Sequence, residues 1–118
     1  MGRLTTHVLD TAHGKPAAEM MITLYRVRHD QSLEELAQTQ TNADGRTPEP
    51  LLQGPHFKVG TYELAFEVAP YFLKIGAKVS EPPFFDVITI RFSIADAASH
   101  YHVPLLVSPW SYSTYRGS

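Results

Sequence analysis

"DVITIRFSI", Asp86 to Ile94, decides the fold class. Ile88, Ile90, Phe92 and Ile94 fall on one side of an extended chain, and Thr89, Arg91 and Ser93 on the other. A period of two with one apolar and one polar face marks a strand in an antiparallel sheet packed on one side. "VGTYELAFEV" (Val59 to Val68) repeats the pattern, with Tyr62, Leu64, Phe66 and Val68 opposite Thr61, Glu63 and Glu67. "MITLYRVR" (Met21 to Arg28) and "LTTHVLD" (Leu4 to Asp10) read as two more such strands.

Turn signals separate these runs. "HGKPA" (His13 to Ala17) follows the first strand, "NADGR" (Asn42 to Arg46) holds an Asp-Gly pair of the hairpin kind, and "SEPPF" (Ser80 to Phe84) carries two prolines. "HDQSLEELAQ" (His29 to Gln38) reads as a solvated hairpin or loop. One short helix is predicted: Pro70 suits its first position, "YFLKI" follows, and Gly76 suits its stop. Strands at this spacing predict an all-β sandwich or barrel in a single domain over residues 1–118.

Bulk properties narrow the function classes. The 118 residues are 43% hydrophobic and 19% charged, so the chain can bury a core of its own. A net charge of -2 offers no basic footprint, so nucleic acid and anionic membranes are not expected partners. With no cysteine there is neither a disulfide nor a thiolate zinc site. The opening "MGRLTTHVLD" lacks the apolar run of a signal peptide, and no later run is long enough to span a bilayer. A cytoplasmic protein is expected, with a periplasmic form that has lost its leader as the alternative.

The end of the chain departs from the simple pattern. "YHVPLLV" (Tyr101 to Val107) is apolar on both faces apart from His102, and Pro104 places it at an edge or a bulge. An edge of that kind needs a cover, and the natural cover is another subunit. "SPW" (Ser108 to Trp110) then turns the chain. In the tail, Trp110, Tyr112, Thr114 and Arg116 share one face and Ser111, Ser113, Tyr115 and Gly117 the other. The second face is nearly all small, which allows close approach of another backbone or a ligand.

"LTTHVLDTAHGKPA" near the start and "YHVPLLVSPWSYSTYRGS" at the end closely resemble the two signature segments of the transthyretin-like family. The closing "YRGS" resembles the mark of that family's enzymatic branch, which hydrolyses 5-hydroxyisourate. The resemblance implies a transthyretin-like β-sandwich of two four-stranded sheets with one short helix. It also implies a homotetramer, a dimer of dimers joined edge to edge around a channel, with "YHVPLLV" and "YSTYRGS" as edge strands. The family's catalytic residues fall on His7, Arg46 and His102, and its substrate-binding set adds Tyr115 and Ser118. Trp110 and Asp86 depart from the family pattern.

The implied reaction is histidine-assisted attack of water on 5-hydroxyisourate, a small planar product of urate oxidation. It gives 2-oxo-4-hydroxy-4-carboxy-5-ureidoimidazoline and belongs to urate (purine) degradation. Hydrolysis of an amide-type ring bond needs an activated water, a partner for the negative oxygen and a proton for the departing nitrogen. Histidine titrates near neutral pH and can serve as base and acid. Arg46 would bind the substrate oxygens in forked geometry and hold a nearby histidine neutral. Tyr115 would close the channel floor, and Ser118 would add hydrogen bonds through its hydroxyl and terminal carboxylate. Which histidine is the base stays open at this level.

Without the resemblance, each of these residues has an ordinary reading. A lone strand histidine is more often satisfied or exposed than catalytic, and an arginine after a turn is usually solvated. "HYH" puts His100 and His102 on one strand face, a metal pair that His7 could complete, although His100 reads better as a loop-end residue. No metal and no cofactor is expected for this chemistry. His13, His29 and His56 are expected to face solvent. The rival functions are a non-catalytic small-ligand carrier and a plain β-sandwich interaction module. His7, Arg46, His102 and "YRGS" favour the hydrolase.

Overall fold

The computed structural model describes residues 2–118, so Met1 falls outside it. The strands are β1 (Arg3–Thr5), β2 (Val8–Asp10), β3 (Lys15–Pro16), β4 (Met21–Val27), β5 (Leu33–Gln40), β6 (Leu52–Gln53) and β7 (Gly60–Glu67). The helix α1 (Val68–Lys74) precedes β8 (Val87–Ile94), β9 (Tyr101–His102), β10 (Leu105–Val107) and β11 (Tyr112–Ser113). The fold is all-β with one short α-helix, as the alternation predicts.

One sheet is regular, in the antiparallel order β5-β4-β7-β8. The other is four columns wide but broken. β1 pairs with β9 and β2 with β10, both parallel and in the same register on either side of the break. Val103 N–H donates to Thr5 O and Leu105 N–H to His7 O, each at 2.9 Å, so the ladder runs through the interruption. β11 borders β10, and Gly117 makes an isolated bridge to His102 beyond it. The opposite flank is a composite of β3, Arg46 and β6, each meeting a different part of the β1–β2 path.

The core lies between the sheets. Ile22 and Leu24 from β4, Tyr62, Leu64 and Phe66 from β7, and Ile88 and Ile94 from β8 are buried against Leu4, Val8, Leu105 and Val107. Burying each such aliphatic or aromatic side chain is worth about 1.5–3 kcal/mol. Thr5, His7 and Leu9 lie on the outer face of the broken sheet, and His102 and Leu106 are half-buried beside them.

Four expectations need correction. Six of the ten residues of "HDQSLEELAQ" are strand: Leu33 to Gln40 form β5, and the hairpin tip is Asp30 to Ser32. An edge strand with a solvated face loses the apolar alternation that would announce it. "YHVPLLV" is not an edge, because β1–β2 covers one side and the tail the other. Pro104 sits in the break between β9 and β10, where a missing N–H costs no ladder bond. The Asp-Gly turn does not join neighbouring strands. It carries the chain from β5 in one sheet to Arg46 in the other. The helix begins two residues before Pro70, which still falls in the first turn, where backbone N–H groups have no helical acceptor.

Candidate active site

Both strand breaks lie beside a histidine. His7 occupies the gap between β1 and β2, and His102 ends β9 immediately before the gap at Val103–Pro104. Each also makes one isolated bridge on its open side: His7 with Arg46, and His102, already paired with Thr5 in the parallel ladder, with Gly117.

The turn before Arg46 is built by Asn42. Its side-chain Oδ1 accepts from Asp44 N–H at 2.9 Å and Arg46 N–H at 3.2 Å. Gly45 has φ of 75°, in the left-handed region that glycine tolerates, and its carbonyl accepts Val8 N–H at 2.8 Å. A Cβ at Gly45 would collide with the Val8 carbonyl oxygen. The turn therefore pins Arg46 against the β1–β2 path. His7 Nε2 lies 2.8 Å from Asp44 O. A carbonyl only accepts, so Nε2 carries the proton.

His102 is held from the tail side by Gly117. The Gly117 N–H donates to His102 O at 2.7 Å, and His102 N–H donates to Gly117 O at 3.2 Å. A Cβ at Gly117 would stand 3.1 Å from both Cβ and Cδ2 of His102. The small residue in the tail is thus a requirement of close approach. The His102 imidazole is held below the usual histidine range by burial first, then by the positive charge of Arg46, with His7 and His100 adding to it when they are protonated. It is a half-buried ring kept neutral beside a guanidinium.

A cavity of about 370 Å³ opens here, walled by Arg46, His102 and Ser118 together with Arg3, Thr5 and His100. That is the small end of the usual ligand range. Of the expected residues, the fold brings Arg46, His102 and Ser118 into one wall. His7 backs this wall through its bridge to Arg46 without lining it, and Tyr115 stands 60% exposed outside it. A larger hollow of about 890 Å³ lies elsewhere, between the β4–β5 tip and the start of β7. Its arginines already bond to protein groups: Arg26 to Tyr62 and Val59, Arg91 to Glu63 and Gln31.

Thr5, His100 and Arg3 were not singled out as site residues from the sequence. Thr5 enters because it stands opposite His102 in the parallel ladder, a pairing between chain ends that local periodicity does not carry. His100 does sit at a loop end, yet Arg3 Nε–H donates to its Nδ1 at 3.3 Å. Among the described residues, no group of three or more His, Cys, Asp or Glu side chains converges on a metal position. His13 is also not simply solvated. Its Nδ1 lies 2.7 Å from Asp10 Oδ2, a fully buried carboxylate oxygen that accepts Tyr71 O–H at 2.8 Å as well.

A family profile described as the HIUase/Transthyretin family matches residues 4–117. A 5-hydroxyisourate hydrolase of Ralstonia nicotianae is 53% identical over 118 residues, covering all of both chains. A crystal structure titled (S)-allantoin synthase superposes with a TM-score of 0.94 at 49% identity, covering 99% of this chain and 44% of that one. Klebsiella pneumoniae 5-hydroxyisourate hydrolase superposes with a TM-score of 0.81 at 35% identity, covering both chains fully. Sea bream transthyretin in complex with thyroxine superposes with a TM-score of 0.87 at 27% identity, covering 98% of this chain and 94% of that one.

Proposed function

The chain belongs to the HIUase/transthyretin family, and from that membership we propose that it hydrolyses 5-hydroxyisourate in the Arg46–His102–Ser118 cavity. The observation that carries this reading is the juxtaposition of a neutral half-buried histidine and an arginine in one small outer-face cavity. The full-length identity to a relative named for this activity supports the same class of reaction.

The geometry favours His102 as the base. Its Nδ1 lies 2.8 Å from Thr5 Oγ1, while Nε2 has no protein partner among the described residues. A lone pair on Nε2 would take a proton from water as the water oxygen adds to the substrate carbonyl carbon. The carbonyl oxygen becomes negative in that step, and the Arg46 guanidinium would balance it. The tetrahedral centre then collapses, the ring C–N bond breaks, and the proton on His102 passes to the departing nitrogen. His7 fixes the turn that carries Arg46. Ser118 would bind the polar substrate edge, and Tyr115 would close the floor against another subunit.

Assembly into a dimer of dimers belongs to this reading. Phe84, Trp110 and Tyr112 are exposed, and the rings link the segment entering β8 to the segment entering β11. Phe84 stacks on Trp110 at 5.8 Å between centroids, and Phe85 meets Tyr112 edge-on at 5.5 Å. An aromatic patch between two free strand edges is a surface that a second copy would cover. Among the described residues no helix is long and apolar enough to cross a membrane. A single hydrolase domain over residues 1–118 and a cytoplasmic site of action complete the proposal, the latter checked by fractionation of the host cell.

The test uses 5-hydroxyisourate freshly made from urate by a urate oxidase. Its ultraviolet decay is followed without protein, with the wild type and with His102→Asn. Fast decay by the wild type that the variant loses supports the reading. Decay at the spontaneous rate overturns it and leaves the non-catalytic carrier. A chain lacking residues 116–118 that stays fully active would remove Ser118 from the site.

A further inference from the structure

The cavity lined by Arg46 also contains a row of polar groups. Arg3 Nε–H donates to His100 Nδ1 at 3.3 Å. His100 Nε2 lies 3.4 Å from Thr5 Oγ1, and Thr5 Oγ1 lies 2.8 Å from His102 Nδ1. Arg116 Nη2–H holds the His100 carbonyl at 3.2 Å, and its guanidinium sits 4.4 Å from the centre of the Tyr101 ring. The chain leading into His102 is therefore held by Arg116 while the row meets its ring.

Proton placement along this row follows from one fixed end. Arginine only donates, so His100 Nδ1 must be an acceptor and carries no proton. The proton of neutral His100 then sits on Nε2 and points to Thr5 Oγ1. That hydroxyl keeps one lone pair and its own hydrogen. If His102 donates Nδ1–H to the lone pair, Nε2 is left as the basic nitrogen. The same Nδ1–H···Oγ1 bond survives when His102 takes up a second proton, so the ring needs no reorientation during turnover. If Thr5 instead donated to Nδ1, that bond would have to reverse at every protonation of the ring.

We propose that Thr5 is a positioning residue whose hydroxyl, braced by His100 and Arg3, accepts Nδ1–H of His102 and presents Nε2 as the base. This rests on the reading of His102 as the base. Thr6 is the internal contrast. Its hydroxyl faces inward and donates to Val103 O at 2.7 Å, a bond that serves only the ladder.

The test compares wild type, Thr5→Val and Thr5→Ser in the full chain. Valine keeps the β-branched shape and removes the hydroxyl, whereas serine keeps the hydroxyl. Imidazole ¹⁵N chemical shifts report the His102 tautomer without substrate, and kcat and KM are measured with 5-hydroxyisourate. The expected result is an Nδ1–H tautomer in wild type and Thr5→Ser. In Thr5→Val the Nδ1–H population should fall and kcat should drop by about 10- to 100-fold, the usual cost of losing an outer orienting partner, with KM little changed. An Nε2–H tautomer in the wild type overturns the proposal, and so does a Thr5→Val protein with unchanged tautomer and kcat. If the wild type fails to turn over the substrate, the hydrolase reading falls, and the tautomer readout alone still decides the role of Thr5.

Discussion

His7 and Arg46 face each other across a single antiparallel bridge, and burial together with the Arg46 charge depresses the basicity of His102 in the next strand. The pH dependence of the reaction follows from that arrangement. A base must be neutral, and the depressed value of His102 keeps it neutral at lower pH than an ordinary histidine, whose reference value is about 6.5. The acid limb of kcat/KM should therefore fall below that reference. Arg46→Gln removes one positive charge, so the limb should move up in pH while the maximal rate drops. A pH–rate profile of the two proteins checks both. A limb that stays in place on removal of Arg46 would show that His102 is not the group titrating.

The two histidines should differ in what their loss does. His102→Asn removes the proposed base and is expected to cost about 10²–10⁴ in kcat, the usual worth of a general base. His7→Gln places an amide N–H near the Nε2 position that can still donate to the Asp44 carbonyl, so its loss should be smaller and should weaken the placement of Arg46. Steady-state kinetics of both variants separates the roles. Equal losses would return His7 to direct contact with the substrate.

The buried carboxylate of Asp10 ties β2 to α1. It accepts from Tyr71 O–H and from His13, and burial together with the Asp10 contact pushes the Tyr71 hydroxyl strongly up. Tyr71→Phe removes one bond to a charged acceptor and should lower unfolding free energy by about 1–3 kcal/mol. Asp10→Ala strands the buried Tyr71 hydroxyl and loses His13 too, and should cost more. The double variant should cost less than the sum, because both act on one bond. Denaturant unfolding of the three proteins measures this, and strict additivity would count against the shared network.

What could be read from the chain divides along the range of the interactions. Strands β4, β7 and β8 were legible because one face of each is buried against a core, and alternation is a local record of that burial. β5 was not, because an edge strand with the pattern of Leu33 to Gln40 is almost wholly exposed and leaves no such record. Arg46, His102 and Ser118 were legible through a family resemblance, whereas Thr5 and His100 depended on the parallel pairing of the two chain ends. The position of "YHVPLLV" failed for the same reason. Pro104 excludes a regular ladder bond, but it does not say which neighbour fills the gap.

The aromatic patch at the strand edges makes a prediction about assembly. Phe84 is 64% exposed and Trp110 57%, yet their rings stack on each other. If a second copy covers them, Phe84→Ser with Trp110→Ser should weaken association and leave the fold of the single chain intact. Sedimentation velocity across a concentration series, with circular dichroism as a fold control, reads both. A wild type that stays monomeric at high concentration would remove the assembly reading.

Gly117 offers the most local probe of the site. Its φ is unremarkable, so alanine there adds no backbone strain, only a methyl 3.1 Å from the Cβ and Cδ2 of His102. That spacing is tighter than ordinary carbon–carbon contact, and the imidazole must yield by a few tenths of an ångström. Since a displacement of about 1 Å at a reacting group costs roughly 10²-fold, a shift of that size should lower kcat by several-fold to about tenfold. Stability should change by less than about 1 kcal/mol, because the tail is exposed and the neighbouring ring can tilt. Kinetics measured beside thermal unfolding distinguishes the two effects. A Gly117→Ala protein with the full rate would mean that the position of the His102 ring does not limit the reaction.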